Sequence, residues 1–226
     1  MYDVSLYGHL TFDRIFDGFK KDTCVGSMGN VWSALLNANP NLKIDLQPTD
    51  IGEALILVDK LRSERTSIAC LNMKTNKPQI HKSKWNHILY LNKITDLSFI
   101  EDINDGIISA DICRGDSLKD LNVLKKINFL FLADEDIFIN IEKIVKLVKD
   151  GLILHSNNGS VCYMKDGSKF KTNVKVLDNI NVLGCGDMLA SFFINQYLKS
   201  NDFQKSIKNS HKLVSERLRK MVHEKV

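Results

Sequence analysis

The amino-acid sequence predicts an α/β fold, in which a sheet of buried strands is flanked by helices. Short apolar runs alternate with longer amphipathic segments along the chain, a pattern typical of interleaved strands and helices. The 226 residues are 44% hydrophobic and include only three prolines, so one substantial core can form and little of the chain resembles a disordered linker. We therefore expect a single domain over residues 1–226.

The first third of the chain predicts a strand, a short helix and a β-hairpin. Residues 2–8, YDVSLYG, are strand-like and end in a glycine. Residues 30–40, NVWSALLNANP, begin with an asparagine suited to capping a helix and end in a proline. Residues 48–72 carry two apolar runs around a charged turn near Lys60–Glu64. Helix propensity alone would allow a helix there, but the Thr, Ser and Ile of the second run favour a hairpin that forms a lid or a sheet edge.

The rest of the chain predicts buried strands followed by helices. Four compact apolar runs, each followed by polar residues, suit successive strands of a parallel sheet: WNHILYLN, DGIISADI, INFLFLA and GLILHS. Residues 136–151 have helical spacing and end at Gly151, which we interpret as a left-handed helix stop. Two further helices are expected over residues 188–200 and 206–222, and the first is apolar enough to be buried.

Charge and cysteine usage exclude several classes of protein. The 31 basic and 27 acidic residues are mixed along the chain, so the net charge of +4 suits a small anionic ligand and does not suggest nucleic acid. The five cysteines are scattered and lack a C-x-x-C pair, which is typical of reduced thiols in a cytoplasmic protein. No uncharged run reaches the roughly 18 residues of a membrane span. We therefore expect a cytoplasmic protein that does not enter a membrane.

A glycine turn precedes an aspartate in the stretch NVLGCGDMLASFF, residues 181–193. If Gly184, Cys185 and Gly186 open a helix, their backbone N–H groups and the helix dipole can hold a phosphate oxygen. Asp187 would then be placed to act as a general base on a neighbouring hydroxyl. An equally weighted alternative is a turn with a helix-capping aspartate. The common P-loop and dinucleotide fingerprints are absent from the sequence.

This stretch resembles the signature D-T-x-G-A-G-D of the ribokinase-like (PfkB) carbohydrate kinases. Other segments resemble further motifs of that family in the same order along the chain. These are YDVSLYGHLTFD for a first strand with G-x-x-x-x-D, VGSMGN for G-G-x-x-x-N, residues 48–67 for a P-T hairpin, and residues 151–167 for the strand and turn before the signature. The resemblance covers most of the chain and implies a Rossmann-like sheet flanked by helices, in a shortened member of the family.

The resemblance also implies an activity and a set of site residues. Such kinases transfer the γ-phosphoryl group of ATP, with Mg²⁺, to a hydroxyl of a sugar or nucleoside. By position, Asp187 would be the catalytic base, and Gly184, Cys185 and Gly186 would form the anion hole. The remaining matches are Asp13, Gly26 and Asn30 for the acceptor hydroxyls, Ser156 and Gly159 for the nucleotide, and Asp136 for the metal.

Several positions depart from the family pattern. Only 17 residues separate Asn30 from the P-T segment at Pro48, so the lid is expected to be reduced or completed by another subunit. The first glycine of G-G-x-x-x-N is Val25 here, and Ala133 replaces the asparagine of an N-E-x-E element, although Asp134 and Glu135 lie nearby. These departures keep open an alternative, a catalytically inactive sugar- or nucleotide-binding regulatory protein.

Two smaller expectations complete the sequence-based hypothesis. Asp111 would contact phosphate together with Arg114 or, with equal weight, form a surface ion pair. The hairpin edge near Asp59–Arg65 makes a homodimer a possibility. A nicotinamide enzyme on a similar sheet ranks last, because its glycine fingerprint near the N-terminus is missing.

Overall fold

The structure is a computed structural model of the whole chain. It describes residues 1–17, 20–59, 64–113, 118, 120–134, 140–177 and 184–223. The described strands are β1 Tyr2–Asp17, β2 Lys20–Ser27, β3 Ile44–Asp59, β4 Glu64–Thr75, β5 Ser83–Leu89, β6 Ile107–Ile112, β7 Phe129–Ala133, β8 Gly151–Ser156, β9 Gly159–Met164 and β10 Lys169–Asn173. The described helices are α1 Met28–Ala38, α2 Ile141–Leu147, α3 Cys185–Ser200 and α4 Phe203–His223, with short 3₁₀ helices at Ser98–Asp102 and Leu121–Lys126.

The described strands form one ten-stranded sheet, and the predicted α/β class is confirmed. The strand order is β10-β9-β8-β7-β6-β5-β1-β3-β4, and β2 pairs with β1. Strands β1, β5, β6, β7 and β8 run parallel, as expected for the compact apolar runs. Strand β9 pairs antiparallel with β8, and β10 pairs antiparallel with β9 at the end of the sheet.

The chain divides into two compact units. The first unit comprises Met1–His9, Asn41–Asp50 and Thr75–Asn173. The second unit comprises Leu10–Pro40, Ile51–Lys74 and Val174–Val226. Strands β1 and β3 each contribute residues to both units. The single domain expected over residues 1–226 stays a prediction.

The core of the first unit follows the two-residue period of its strands. Alternate side chains such as Ile88, Ala110, Leu130 and Leu152 lie on one face of the sheet and are buried there. They pack with apolar residues of α2 and of the two 3₁₀ helices, among them Ile144, Phe99, Ile100 and Leu124. The apolar runs were recognisable in the sequence because strands buried on both faces lack polar alternation.

A polar cluster lies on the opposite face of the same sheet. The indole nitrogen of Trp85 donates a hydrogen bond to the Ser109 hydroxyl at 2.7 Å, and His87 Nδ1 lies 2.8 Å from the same oxygen. The His87 ring meets Phe131 edge to face. Burial without a charged partner lowers the pKa of His87 to about 3, so the imidazole is neutral in the folded protein at neutral pH.

Strands β3 and β4 form where a hairpin was preferred to a helix. They are neighbours in the sheet and extend beyond the predicted residues 48–72 at both ends. Ala54, Ile56 and Val58 alternate along β3 and pack with Ile15 of β1, whereas the intervening Leu57 is 47% exposed. The turn expected near Lys60–Glu64 falls largely on residues 60–63, outside the described residues. A role of this segment as a lid stays a prediction.

Two expected helix boundaries are wrong. Helix α1 begins earlier than predicted, with Ser27 at the N-cap, so Asn30 lies inside the first turn instead of capping it. Helix α2 ends at Leu147, and Gly151 is the first residue of β8 instead of a helix stop. Position 151 favours glycine because of packing within the sheet: a Cβ there would lie 2.9 Å from the Met164 sulfur on β9. The helices predicted near residues 188–200 and 206–222 are confirmed as α3 and α4.

None of the five cysteines is in a disulfide. Within the described part of the chain, no helix combines the length and the apolar character that a membrane crossing requires.

The buried neutral imidazole predicts a pH-dependent stability. The pKa of His87 falls from 6.5 in the unfolded chain to about 3 on folding, so the unfolded state binds more protons as pH decreases through this window. The free energy of unfolding should therefore decrease as pH falls below about 6.5, and replacing His87 by Gln should remove about 1.4 kcal/mol per pH unit from that slope. Urea unfolding between pH 7.5 and pH 5 measures the two slopes. Equal slopes in both proteins would contradict the prediction.

Candidate active site

The glycine turn lies at the N-terminus of α3, as the sequence predicts. Gly184 is the N-cap residue and has left-handed backbone angles, φ 76° and ψ 7°, which glycine adopts without a steric penalty. The first helical hydrogen bond runs from the Met188 N–H to the Gly184 carbonyl at 2.9 Å. The N–H groups of Cys185, Gly186 and Asp187 therefore precede the helical ladder, at the positive end of the helix dipole.

Asp187 is buried at this helix end and is held by another helix. Its side chain is in the first turn of α3, with the residue only 5% exposed. The Asn30 side-chain amide, in the first turn of α1, donates a hydrogen bond to Asp187 Oδ2 at 2.9 Å. The N-cap of α3 is Gly184, so Asp187 is not the N-cap residue of the turn-and-cap alternative.

A second contact ties α1 to α3 below the aspartate. The Ser191 hydroxyl, which is fully buried, lies 2.6 Å from the Asp187 carbonyl oxygen and 3.3 Å from the Val31 carbonyl oxygen. One hydroxyl hydrogen is thus shared between the two helices. Ser191 was missed in the sequence, where a serine four residues after an aspartate carries no specific signal.

The N-terminus of α1 has an unusual backbone. Ser27, its N-cap residue, has φ 49° and makes no side-chain capping bond, a conformation that is strained for a non-glycine residue. Val25 takes the place of the first glycine of the expected motif, and its methyl group packs over Gly29. A Cβ on Gly29 would lie 2.3 Å from that methyl carbon, so a glycine at 29 accommodates the valine at 25.

Asp13 and Gly26 are brought together by the pairing of β1 with β2. Asp13 is 3% exposed, and its Oδ1 accepts a hydrogen bond from the Thr11 hydroxyl at 2.6 Å. A Cβ on Gly26 would lie between 2.0 and 2.2 Å from the three carboxylate atoms of Asp13, so the carboxylate occupies the space above this glycine. Cys24 is the register partner of Asp13, and desolvation together with the carboxylates of Asp13 and Asp22 raises the pKa of its thiol. Thr11 was missed, although its i, i+2 spacing from Asp13 puts both on one strand face.

The expected nucleotide residues lie in the first unit and have structural roles of their own. Ser156 and Gly159 flank the two-residue turn between β8 and β9, and the Ser156 hydroxyl accepts a hydrogen bond from the Asn158 N–H at 3.1 Å. Gly159 has φ 124°, and a Cβ there would lie 1.9 Å from the Thr172 carbonyl oxygen of β10. A role for either residue in nucleotide binding stays a prediction.

The expected metal ligand Asp136 lies outside the described residues. Among the residues that are described, no group of three or more His, Cys, Asp or Glu side chains is arranged to hold a metal ion. Asp134, which follows β7, is exposed. A role for Asp136 or Asp134 in binding a metal stays a prediction.

Asp111 is buried at the end of β6, so the surface ion pair considered from the sequence is wrong. Its carboxylate accepts a short hydrogen bond from the backbone N–H of Tyr90, a non-glycine residue with φ 59°. The Asn92 side chain bonds both to the Cys113 carbonyl oxygen at 2.7 Å and to its N–H at 3.0 Å. These contacts anchor the chain that leaves β5. Arg114, the proposed partner of Asp111, is not among the described residues.

Comparison with known proteins shows which solved structures have a similar fold. No protein-family model matches the sequence, and no curated protein matches it. Solved structures do match over nearly the whole chain. Ribokinase from Thermotoga maritima is 14% identical and superposes with a TM-score of 0.70, covering 93% of this chain and 90% of that one.

Two further kinases superpose equally well. Adenosine kinase from Sinorhizobium meliloti is 12% identical with a TM-score of 0.72, covering 92% of this chain and 91% of that chain. A pyrophosphate-dependent kinase in the ribokinase family is 14% identical with a TM-score of 0.69, covering 96% and 95% of the two chains. The expected resemblance to ribokinase-like kinases is confirmed at the level of the fold.

The packing of Asp13 on Gly26 predicts a strong coupling between these residues. Gly26→Ala should lower the free energy of unfolding by about 1–3 kcal/mol, because the added methyl group overlaps the carboxylate. In an Asp13→Ala background the same substitution should cost much less, since the space is then open. Urea unfolding of the four proteins of this double-mutant cycle measures the coupling. Additive effects would show that the glycine is required for another reason.

Proposed function

We propose that this chain, which has the fold of the ribokinase-family kinases, transfers a phosphoryl group to a hydroxyl of a sugar, a nucleoside or a similar small metabolite. The observation that carries the proposal is the buried carboxylate of Asp187 at the N-terminus of α3, held by the Asn30 amide. A buried acid beside the positive end of a helix suits proton removal next to a bound phosphate.

In the proposed reaction Asp187 accepts the proton of the acceptor hydroxyl. The hydroxyl oxygen forms a bond to the transferred phosphorus, while the bond between that phosphorus and the leaving oxygen of the donor breaks. The N–H groups of the Gly184–Gly186 turn lie at the helix end, where they would stabilise the negative charge of the transferred group. Phosphoryl transfer depends mainly on such positioning and charge stabilisation, so this chain needs no covalent intermediate.

The acceptor is proposed to bind to residues of the second unit. Asp13, packed on Gly26, is a buried carboxylate that can accept hydrogen bonds from hydroxyl groups, and Asn30 would contribute its side-chain oxygen. Thr11 orients Asp13 by occupying one of its oxygens. A rigid, buried carboxylate favours polyhydroxylated acceptors over apolar ones, because an apolar group would leave it without partners.

The proposed donor is ATP with Mg²⁺, and pyrophosphate is the competing donor. Ser156 and Gly159 would lie at the nucleotide, and Asp136 or the neighbouring Asp134 would supply a carboxylate to the metal. Bound Mg²⁺ would neutralise the phosphate charge that develops during transfer. A structurally similar kinase is pyrophosphate-dependent, so both donors have to be compared.

A catalytically inactive binding protein is the second candidate function. Ala133 stands at the end of β7, where the resemblance leads us to expect an asparagine near the metal. A chain that retains the acceptor site but cannot position the metal ion would bind a sugar or nucleotide without turnover and act as a regulator. Turnover separates the two candidates.

The cellular location and the assembly state belong to the proposal as well. The five cysteines, none of which is in a disulfide, support a cytoplasmic location. A homodimer is proposed through the outer face of the second unit's strands, where Phe12 is 59% exposed and its register partner Val25 is 44% exposed. An apolar pair of this kind on a sheet face is a common element of interfaces.

The catalytic assignment predicts the outcome of one substitution. Asp187→Asn should reduce turnover at least ~10²–10⁴-fold, because the amide cannot accept the proton, while the fold is retained. A screen of hexoses, pentoses, nucleosides and inositols, with ATP or pyrophosphate as the donor, measures phosphate transfer. Asp166→Asn, which changes a fully exposed aspartate in a turn, is the matched control and should retain activity. Undiminished turnover in Asp187→Asn would refute the base assignment, and ligand-induced melting shifts without any turnover would favour the binding protein.

The assembly proposal predicts the effect of a charge on the outer face. Phe12→Glu should shift the protein from a dimer to the 25.7 kDa monomer, because a carboxylate cannot be buried at an apolar interface without a partner. Light scattering after size-exclusion chromatography measures the mass. A wild-type protein that is already monomeric at micromolar concentration would contradict the dimer.

A further inference from the structure

We propose that Asn30 is a positioning residue that keeps the Asp187 carboxylate ionised. This inference rests on the proposed function, in which Asp187 is the catalytic base. It goes beyond acceptor binding, because the structure assigns the Asn30 side-chain nitrogen to Asp187 and not to a ligand. The contact is a 2.9 Å hydrogen bond from Asn30 Nδ2 to Asp187 Oδ2.

The two residues occupy equivalent places on two helices. Asn30 is the third residue of α1, which begins at Met28, and Asp187 is the third residue of α3, which begins at Cys185. The hydrogen bond therefore joins the first turns of both helices, so the two positive helix ends lie beside one carboxylate. Gly184 completes the group, because a Cβ there would touch both Asn30 Nδ2 at 3.5 Å and Asp187 Oδ2 at 3.7 Å.

This arrangement favours the charged form of Asp187. An amide N–H that donates to a carboxylate stabilises the anion, and a nearby helix N-terminus acts in the same direction. Burial of the carboxylate opposes both effects, since desolvation favours the neutral acid. The Asn30 bond thus offsets part of the desolvation and keeps the base able to accept a proton near neutral pH.

The other titratable groups of the second unit have to be the same in every variant that is compared, so that a change in titration can be assigned to Asn30. Helix α1 carries no charged side chain. Among the described side chains, the remaining groups on the packed elements are Cys185, Tyr197 and Lys199 of α3, Asp13 and Arg14 of β1, Lys21, Asp22 and Cys24 of β2, Glu53 of β3, and His211 with the lysines, arginines and Glu216 of α4. His211, with a pKa lowered to about 4 by burial, is neutral. Substitutions at Asn30 leave all of these groups in place.

The same hydrogen bond also fixes which atom Asn30 can present to a ligand. A carboxylate accepts hydrogen bonds only, so the nitrogen of the amide must face Asp187 and the side-chain oxygen must point elsewhere. Asn30 is half-buried, which leaves part of its amide accessible. An oxygen in that place can accept a hydrogen bond, which agrees with the acceptor-hydroxyl role proposed above for Asn30.

The test compares Asn30→Leu with Asn37→Leu. Asn37 lies on the exposed side of the same helix and is the matched control. In Asn30→Leu the acid limb of the pH dependence of kcat should move to higher pH by about one unit or more, because a hydrogen bond to a charged group is lost. Asn37→Leu should leave the profile unchanged. Asn30→Gln, which retains the donor, should restore part of the shift.

A measurement without substrate keeps the inference separate from the proposed function. Carbon-13 NMR of labelled aspartate carboxyls follows the titration of Asp187, identified by the signal that Asp187→Asn removes. Asn30→Leu should raise the titration midpoint of this signal, whether or not turnover has been found. An unchanged midpoint, or an Asn30 variant that alters only KM for the acceptor, would overturn the inference while leaving the kinase proposal intact.

The two failures are therefore distinguishable. Full turnover in Asp187→Asn would refute the kinase proposal. An Asp187 titration midpoint that does not depend on Asn30 would refute the positioning role. Should Asn30→Leu not fold, judged by its melting curve, Asn30→Ala replaces it in each measurement.

Discussion

The candidate site depends on the packing of α1 against α3, which places a side-chain amide against a buried carboxylate. Asp187 has almost no contact with solvent, and a carboxylate in such a place requires compensation. Asn30 donates to it directly, and Ser191 joins the backbone below it to Val31 of the other helix. The two helix N-termini add their positive ends. Together these contacts compensate for the burial of the carboxylate.

Glycines serve this arrangement in three different ways. Gly184 supplies the left-handed turn that starts α3, Gly26 leaves room for the Asp13 carboxylate, and Gly29 leaves room for Val25. In the expected motif, Val25 stands where a glycine is expected. The structure shows that the valine packs on a neighbouring glycine, so the start of α1 is preserved around a larger side chain.

The functional proposal follows from this local chemistry more than from the similarity to known kinases. The matched structures share only 12–14% of their residues with this chain, and likeness at that level concerns the fold. The turn, the buried acid and the buried Asp13 are properties of this chain itself. They lie in the same compact unit, whereas the expected nucleotide residues Ser156 and Gly159 lie in the other one.

The sequence by itself determined the fold class, the parallel strands and the helix that starts after Gly184, because each depends on short-range periodicity and turn chemistry. It misplaced the start of α1 and the end of α2, where tertiary packing overrides local signals: Gly151 is the first residue of a strand that pairs with Phe129 of β7 and Met164 of β9. Only the tertiary structure decided that Asn30 holds Asp187, since these residues are 157 positions apart. No local pattern encodes a hydrogen bond that exists only after two distant helices have packed.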